Sequence, residues 1–424
     1  MADNSINSND AVTATQQAIA IPKEIQVEVV EDFEPLASMQ PQWDAFMEVA
    51  GGEIYLTYDW CRIWWKYYGG NRKLKIFLFR HQSELVGILP LMFDKIWLGP
   101  VSVRVGKIVG TDFGLTTASV PILKEFIDDV IRHLSEIICK YRLDIIHIGP
   151  ISGMYADFDP LRAACERYFA PCSDVKAVES NVQAYMRLPS TWEEYLSELK
   201  KSRRNSIKKN YKIIDAIKAA KGADLSAEFA TEETADNFFN EFVQMHQSHW
   251  QKLGKLGHFG DWPRSEMFHR ELAAILSKHK RLRLLKVEIG EDTLAYTYNY
   301  LFGATYYGLL TARSDLQEYT HIGIGDVILA KEVKIACRDN ARFFDLMQGK
   351  YEHKISQGAQ YYPVRNLFIC DRRPMVRLRT WAFCGLAKLL NIGYYKIWFC
   401  RLAPKLPFKR KPLWKIWIRT RGLA

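Results

Sequence analysis

A chain of 424 residues that is 48% hydrophobic and 13% aromatic has enough apolar surface for two or three domain-sized units, which excludes a disordered or fibrous protein. The net charge of +10 is uneven: residues 372–424 carry eight Arg and six Lys with no acidic residue, leaving the rest of the chain at −4 (10 less 14). The body is therefore mildly acidic, and no helix-turn-helix, zinc-finger or RNP pattern marks it as a nucleic-acid module.

The first 22 residues are polar and lack the basic and apolar regions of a signal peptide, so they are expected to be a disordered leader on a cytoplasmic protein. A strand and turn follow over 24–36. A helix then runs to Gly51-Gly52, and "YDWCRIWWKYYGG" forms a second one. Two strands flank the turn at His81-Gln82-Ser83, a helix covers 121–140, and "DIIHIGP" is a strand. A short helix over 161–170 and the strand "NVQAYMRL" close a first unit at residues 23–189. A second unit, 190–371, repeats the order: a long basic helical stretch, a strand near 225, helices near 231–250 and 263–279, and three consecutive strands to residue 313. A helix after residue 323 and strands near 341–349 and 364–370 complete it. The repeated order suggests an internal duplication.

The eight cysteines form no CxxC pair and are expected to be reduced, mostly buried thiols. His246 and His249 share a helix face, but no HExxH or matching carboxylate accompanies them, so no metal site is expected.

"YTHIGIGDVILAKEVKIAC" places Gly323 and Gly325 between a strand and a helix. Free N–H groups at such a helix start, with the helix dipole, suit a pyrophosphate held by the backbone of Thr320 and Ile322 to Asp326 (Ile322, Gly323, Ile324, Gly325, Asp326). An ordinary tight turn is the plainer alternative. Downstream, "ARFFDLMQGKYEHKISQGA" holds Asp345, Gly349 and Lys354.

Together these stretches resemble the CelD/BcsL-like (BioF2-like) acetyltransferases of the GNAT superfamily, which are related to Fem-type aminoacyl transferases. Asp345, Gly349 and Lys354 fall on the signature "fDF-x-x-G-x-x-x-YK", with His353 in place of its Tyr and Thr320 in place of the usual Gln or Arg of the phosphate loop. The resemblance spans about residues 40–365. It implies an α+β fold of two tandem GNAT-like subdomains with mixed central sheets, here followed by a basic helical extension. It also implies an acyl donor, acetyl-CoA or another acyl-CoA, held by the second subdomain.

In such a site an amine or hydroxyl attacks the thioester directly, so an oxyanion stabiliser and a proton acceptor are needed. Lys354 is the candidate stabiliser, and Asp112 and Asp345 are candidate bases. Tyr296 and Tyr298, on the middle strand of the second unit, are candidate lining for the acyl pocket, with core packing as the alternative. Arg203 and Arg204, in the run "KKSRRNSIKKNYK", are candidate phosphate ligands of the acceptor, with a solvated helix face as the alternative.

The tail, 372–424, interleaves Trp and Phe with Arg and Lys, which suits the headgroup layer of an anionic membrane. Trp381, Phe383, Trp398, Trp414 and Trp417 are the candidate anchors. The expected function is acyl transfer to a sugar, amine or lipid-linked acceptor in exopolysaccharide, cellulose or envelope synthesis, at the inner leaflet. The alternatives are a Fem-like transferase using charged tRNA and a non-catalytic accessory protein of a membrane-associated complex.

Overall fold

The computed structural model describes residues 23–114, 117–319, 322–406 and 410–423. The first half runs β1 (Gln26–Val30), α1 (Gln40–Val49), α2 (Tyr58–Tyr68), β2 (Lys73–His81), β3 (Glu84–Leu98), β4 (Val101–Ile108), α3 (Ile127–Ile138), β5 (Ile145–Ile151), α4 (Phe158–Tyr168) and β6 (Ser173–Arg187). The expected turn at residues 81–83 is present, with Gln82 and Ser83 both at positive φ as a tight hairpin demands.

The second half follows with α5 (Trp192–Glu198), α6 (Lys201–Lys221), β7 (Leu225–Phe229), α7 (Ala235–Lys252), α8 (His258–Asp261) and α9 (Ser265–Lys278). The meander β8 (Leu282–Ile289), β9 (Asp292–Phe302) and β10 (Thr305–Arg313) leads to α10 (Ile324–Arg338), β11 (Phe343–Gln348), α11 (Glu352–Ser356) and β12 (Gln360–Asp371). The single helical stretch expected after residue 190 is two helices. Thr191 and Glu194 form a capping box on α5, and the extended Leu199 ends it.

All twelve strands form one sheet in the order β1-β2-β3-β4-β5-β12-β6-β11-β10-β9-β8-β7. Read from either edge the pattern is the same, with an antiparallel meander, then a parallel pair, β4 with β5 or β10 with β11. The last strand of each half crosses to the other: β6 pairs with β11, and β12 pairs with β5. The exchanged strands pair with each other along their whole length at the centre. The halves are thus joined by a continuous ladder.

Two of the sequence-based expectations do not hold. Cys139 and Cys172 are paired as a disulfide, because the end of α3 and the loop before β6 bring them together across α4. Cys61, Cys165 and Cys337 are buried free thiols, as expected. In the tail, α12 (Pro374–Leu390) continues as a π-helix over Asn391–Leu402, and α13 (Lys415–Thr420) leads into a 3-10 turn over Arg421–Leu423. Phe383 sits in an apolar cluster with Ile96, Val103, Val105 and Ile145, and Trp417 is buried against Tyr395 and Trp262. These two aromatics hold the tail on the body and are not surface anchors. Trp381, Trp398 and Trp414 are exposed.

Candidate functional site

The parallel pair β10 and β11 begins as a ladder, Thr305 with Phe343, Tyr306 with Phe344 and Tyr307 with Asp345, and then splays. Both strands deform at that point. β10 carries an extra residue between Gly308 and Leu310, and β11 shifts register between Asp345 and Gln348. The result is a slot between the two strands, with the start of α10 at its mouth.

Each deformation is held by named groups. Asn299 on β9 accepts the N–H of the extra residue, Leu309, at 3.0 Å, and its amide donates to Glu332 of α10. Glu332 is buried, and burial pushes its carboxyl up to about 7. On β11, Asp345 accepts the Met347 N–H at 2.8 Å, which fixes Met347 at φ 65°. Gln183 of β6 donates to both Asp345 oxygens, at 2.6 and 2.7 Å. Lys354 then donates to the carbonyls of Met347, Gln348 and Gly349 at 3.0, 3.0 and 3.3 Å, so its three N–H groups have three acceptors. Gly349 lies at φ 106°, where a side chain would be strained and would strike the Tyr351 ring. Asp345, Gly349 and Lys354 therefore build one device, a kinked strand end that holds the slot open.

At the slot mouth, Gly323 packs against α6. Its N–H donates to Asn210 Oδ1 at 3.4 Å, and a Cβ there would lie 2.8 Å from Asn210 Nδ2. Gly325 differs. It has ordinary helical φ, and a Cβ would meet only Arg313 Nη1, at 3.7 Å. Nothing inside the protein requires glycine there, so its bare face is open to a ligand approaching the helix start. Arg203 of α6 reaches this point, donating to Asp326 at 2.6 Å and to Gln357 at 3.2 Å, while its Nη2 is buried without a partner. Thr320 lies outside the described residues.

Behind the splay is a cavity of about 220 Å³ between the halves, lined by Glu53, Ser119, Ser152, Tyr185 and Tyr307. Glu53 accepts the Ser119 N–H. Burial pushes both Glu53 and Asp345 up to about 7, and the Glu53 charge adds to the rise of Asp345.

Residues 201–355 match the profile of an acetyltransferase (GNAT) domain. The second half of the chain therefore contains a segment similar to GNAT acetyltransferase domains. Its whole fold is similar to the crystal structure of FemX, at 11% identity, 83% of this chain, 99% of that chain and a TM-score of 0.59. Weaker likenesses include a tandem GNAT protein from the clavulanic acid biosynthesis pathway (12% identity, 82% and 99% covered, TM-score 0.40). Another is the C-terminal domain of a putative lysylphosphatidylglycerol synthetase from Agrobacterium fabrum (10% identity, 71% and 85% covered, TM-score 0.42). No curated protein matches the chain in sequence.

The GNAT slot gathers Ile322, Gly323, Ile324, Gly325, Asp326, Arg203, Asp345 and Lys354 around one pair of strands and one helix start. Other expected residues fall elsewhere. Arg204 donates to the Ser197 and Leu199 carbonyls at 2.9 and 2.6 Å and so caps the end of α5. Tyr298 is fully buried among Phe239, Phe242 and His269, on the β9 face that packs on α7 and α9. Tyr296, on the same face, donates to Glu241 and lines a separate cleft with Arg313. Asp112 lies in the first half, bound by Arg72 at 2.6 Å and Lys107 at 2.8 Å. Sequence reasoning missed Glu53, Gln183, Asn299 and Glu332. The available signal was Asn299, one of two polar residues on the β9 face Ala295-Thr297-Asn299 opposite the tyrosines.

Proposed function

We propose that this protein moves an acetyl or other acyl group from an acyl-CoA to an amine or hydroxyl, with the thioester arm in the slot between β10 and β11. The carrying observation is the start of α10: an open glycine face beside a buried guanidinium with one unpartnered nitrogen. Arg203 and the Gly325 N–H would hold the pyrophosphate there, since the Ile324 and Asp326 N–H groups already donate to the Ile322 and Gly323 carbonyls at 2.8 Å, and Asp326 tempers the charge of Arg203. The splayed edge of β10, paired only with β9 beyond Tyr307, offers backbone N–H groups to the thioester oxygen. Asp345 and Lys354 act in this reading as positioning residues for the strand end.

The acceptor is a sugar, amine or lipid-linked precursor of an exopolysaccharide or the cell envelope, met at the inner leaflet. The tail supports this. Met375 (77% exposed), Leu378 (60%), Trp381 (76%) and Leu389 (66%) project from the side of α12 opposite the buried Val376, Phe383 and Ala387. Arg377 and Lys388 flank them. Among the described residues no helix is long and apolar enough to cross a membrane. Binding of acetyl-CoA by calorimetry tests the reading. Heat release with acetyl-CoA and none with charged tRNA supports it, whereas binding of charged tRNA alone would favour a Fem-like aminoacyl transferase.

A further inference from the structure

A cavity of about 610 Å³ lies apart from the slot. It is bounded by the end of α2, β3 and the loop after β4 in the first half and by the α8–α9 connection of the second, and α13 of the tail forms one wall. Its sides are the aromatic rings of Trp64, Tyr67, Tyr68, Phe113 and Trp262. The Tyr68 hydroxyl is buried with no hydrogen-bond partner. Exposed backbone at Gly70 and the Asn71 amide add further polar groups.

Its lining carries more cations than carboxylates. On the floor, Arg72 bridges Asp94 at 3.1 Å and Asp112 at 2.6 Å. Arg419 of α13 binds Asp94 and Lys107 binds Asp112. Three cations thus face two carboxylates. At the rim, Lys95, Arg264 and Lys415 have no carboxylate within ion-pair distance among the described residues. Lys95 instead lies over the exposed Trp97 ring.

An aromatic box with a cationic rim suits a ligand with a flat apolar face, hydroxyl groups and an anionic end. We infer that this cavity binds a phosphorylated sugar, with the ring against Trp262 and Tyr68 and the phosphate at Arg264 and Lys415. Because α13 supplies Lys415, Ile418 and Arg419, the site exists only while the tail is docked. The tail therefore assembles a ligand site as well as presenting an apolar face. The inference stands whether or not the slot takes acyl-CoA.

The phosphate can be free or membrane-borne, so the test has two arms. Tryptophan fluorescence and calorimetry on the full chain would follow glucose 1-phosphate in solution and polyprenyl-phosphoglucose in micelles. Inorganic phosphate and glucose are the comparison probes. At least one phosphosugar should bind tenfold or more tightly than either comparison probe, and the tighter arm identifies the source. The double variant Arg264→Ala with Lys415→Ala should lose at least tenfold in affinity and flatten the salt dependence, with melting unchanged. Arg162→Ala with Lys278→Ala, exposed cations outside the cavity, should bind as the parent does. No binding of either phosphosugar at millimolar concentration would overturn the inference. So would equal affinity in the rim variant, or inorganic phosphate binding as tightly as the sugars.

Discussion

The two halves repeat one strand order, yet only the second keeps an open slot. In the first half, β4 and β5 pair at Val105–Ile145, Gly106–Ile146 and Lys107–His147, and would splay as β10 and β11 do. There the chain fills its own gap. Ala118 bridges to Ile151 and donates to the Pro150 carbonyl at 2.7 Å, and Ile122 bridges back to Gly87 of β3. The following helix, α3, has Asp128 and Asp129 in its first turn and no glycine at its start, so its positive end is already neutralised. α10 also has an acid in its first turn, Asp326, but that acid is paired with the incoming Arg203, and two glycines stand at the helix start. The fold supplies a splay to both halves, and local residues decide whether it becomes a ligand slot or a closed joint.

The largest effect is expected where the halves differ most. Gly325→Val would cover the open face of α10, its Cβ in ordinary contact with the Arg313 guanidinium alone, and should weaken acetyl-CoA binding by about a hundredfold, roughly 3 kcal/mol. Thermal melting should hardly move. Lys124→Val, at the start of the corresponding α3 region, should leave binding intact. Equal affinity in Gly325→Val and the parent would end the assignment of α10 as the donor site. Gly323 is a poorer probe, since any side chain there displaces Asn210 whether or not a ligand binds.

Next come the braces that hold the slot open. Lys354→Met removes the donor from three carbonyls at once and should cost about 2–3 kcal/mol of stability, read by denaturant unfolding. Turnover should fall further than donor affinity, because the strand end moves while the pyrophosphate site at α10 does not. A variant with parent stability would show that Lys354 is not the clamp. Asn299→Ala, on the other edge of the slot, frees the Leu309 N–H and strips Glu332 of a donor. It should cost about 1–3 kcal/mol, and hydrogen exchange at Leu309 should speed up. Unchanged exchange there would mean that the bulge does not depend on Asn299.

The difference between the halves also explains what the sequence could convey. Strand and helix order was legible because the periodicities are strong, as in the tyrosine-bearing face of β9 and the apolar runs of β2 and β3. The glycine turn and the motif around Asp345 were legible as a pattern. Their physical role was not, because Lys354 acts on carbonyls five to seven residues away through a loop whose path the motif does not encode. The strand exchange was invisible for a related reason. Swapping β6 with β12 leaves each strand's own pattern unchanged and alters only its neighbours. The Cys139–Cys172 pairing likewise depends on how α4 returns to the sheet.

The smallest effect tests whether the two halves share one electrostatic site. Glu53 belongs to the first half and Asp345 to the second, yet Glu53 raises the pKa of Asp345 after burial has done so. Glu53 itself is raised from 4.5 to about 7 by burial. In the folded state it holds its proton more tightly than in the unfolded chain. Its contribution is thus fully present below about pH 4.5 and is lost as pH rises through 7. A shift of that size corresponds to up to ~3 kcal/mol. Glu53→Gln cannot ionise and keeps a carbonyl for the Ser119 N–H, so its melting temperature should fall less than the parent's between pH 5 and pH 8. In an Asp345→Asn background the same substitution should flatten the profile less, because one of the charges that disfavours ionisation is already gone. Parallel pH profiles for parent and Glu53→Gln would show that Glu53 stays ionised throughout. Identical flattening in both backgrounds would show that the halves meet in space without sharing charge.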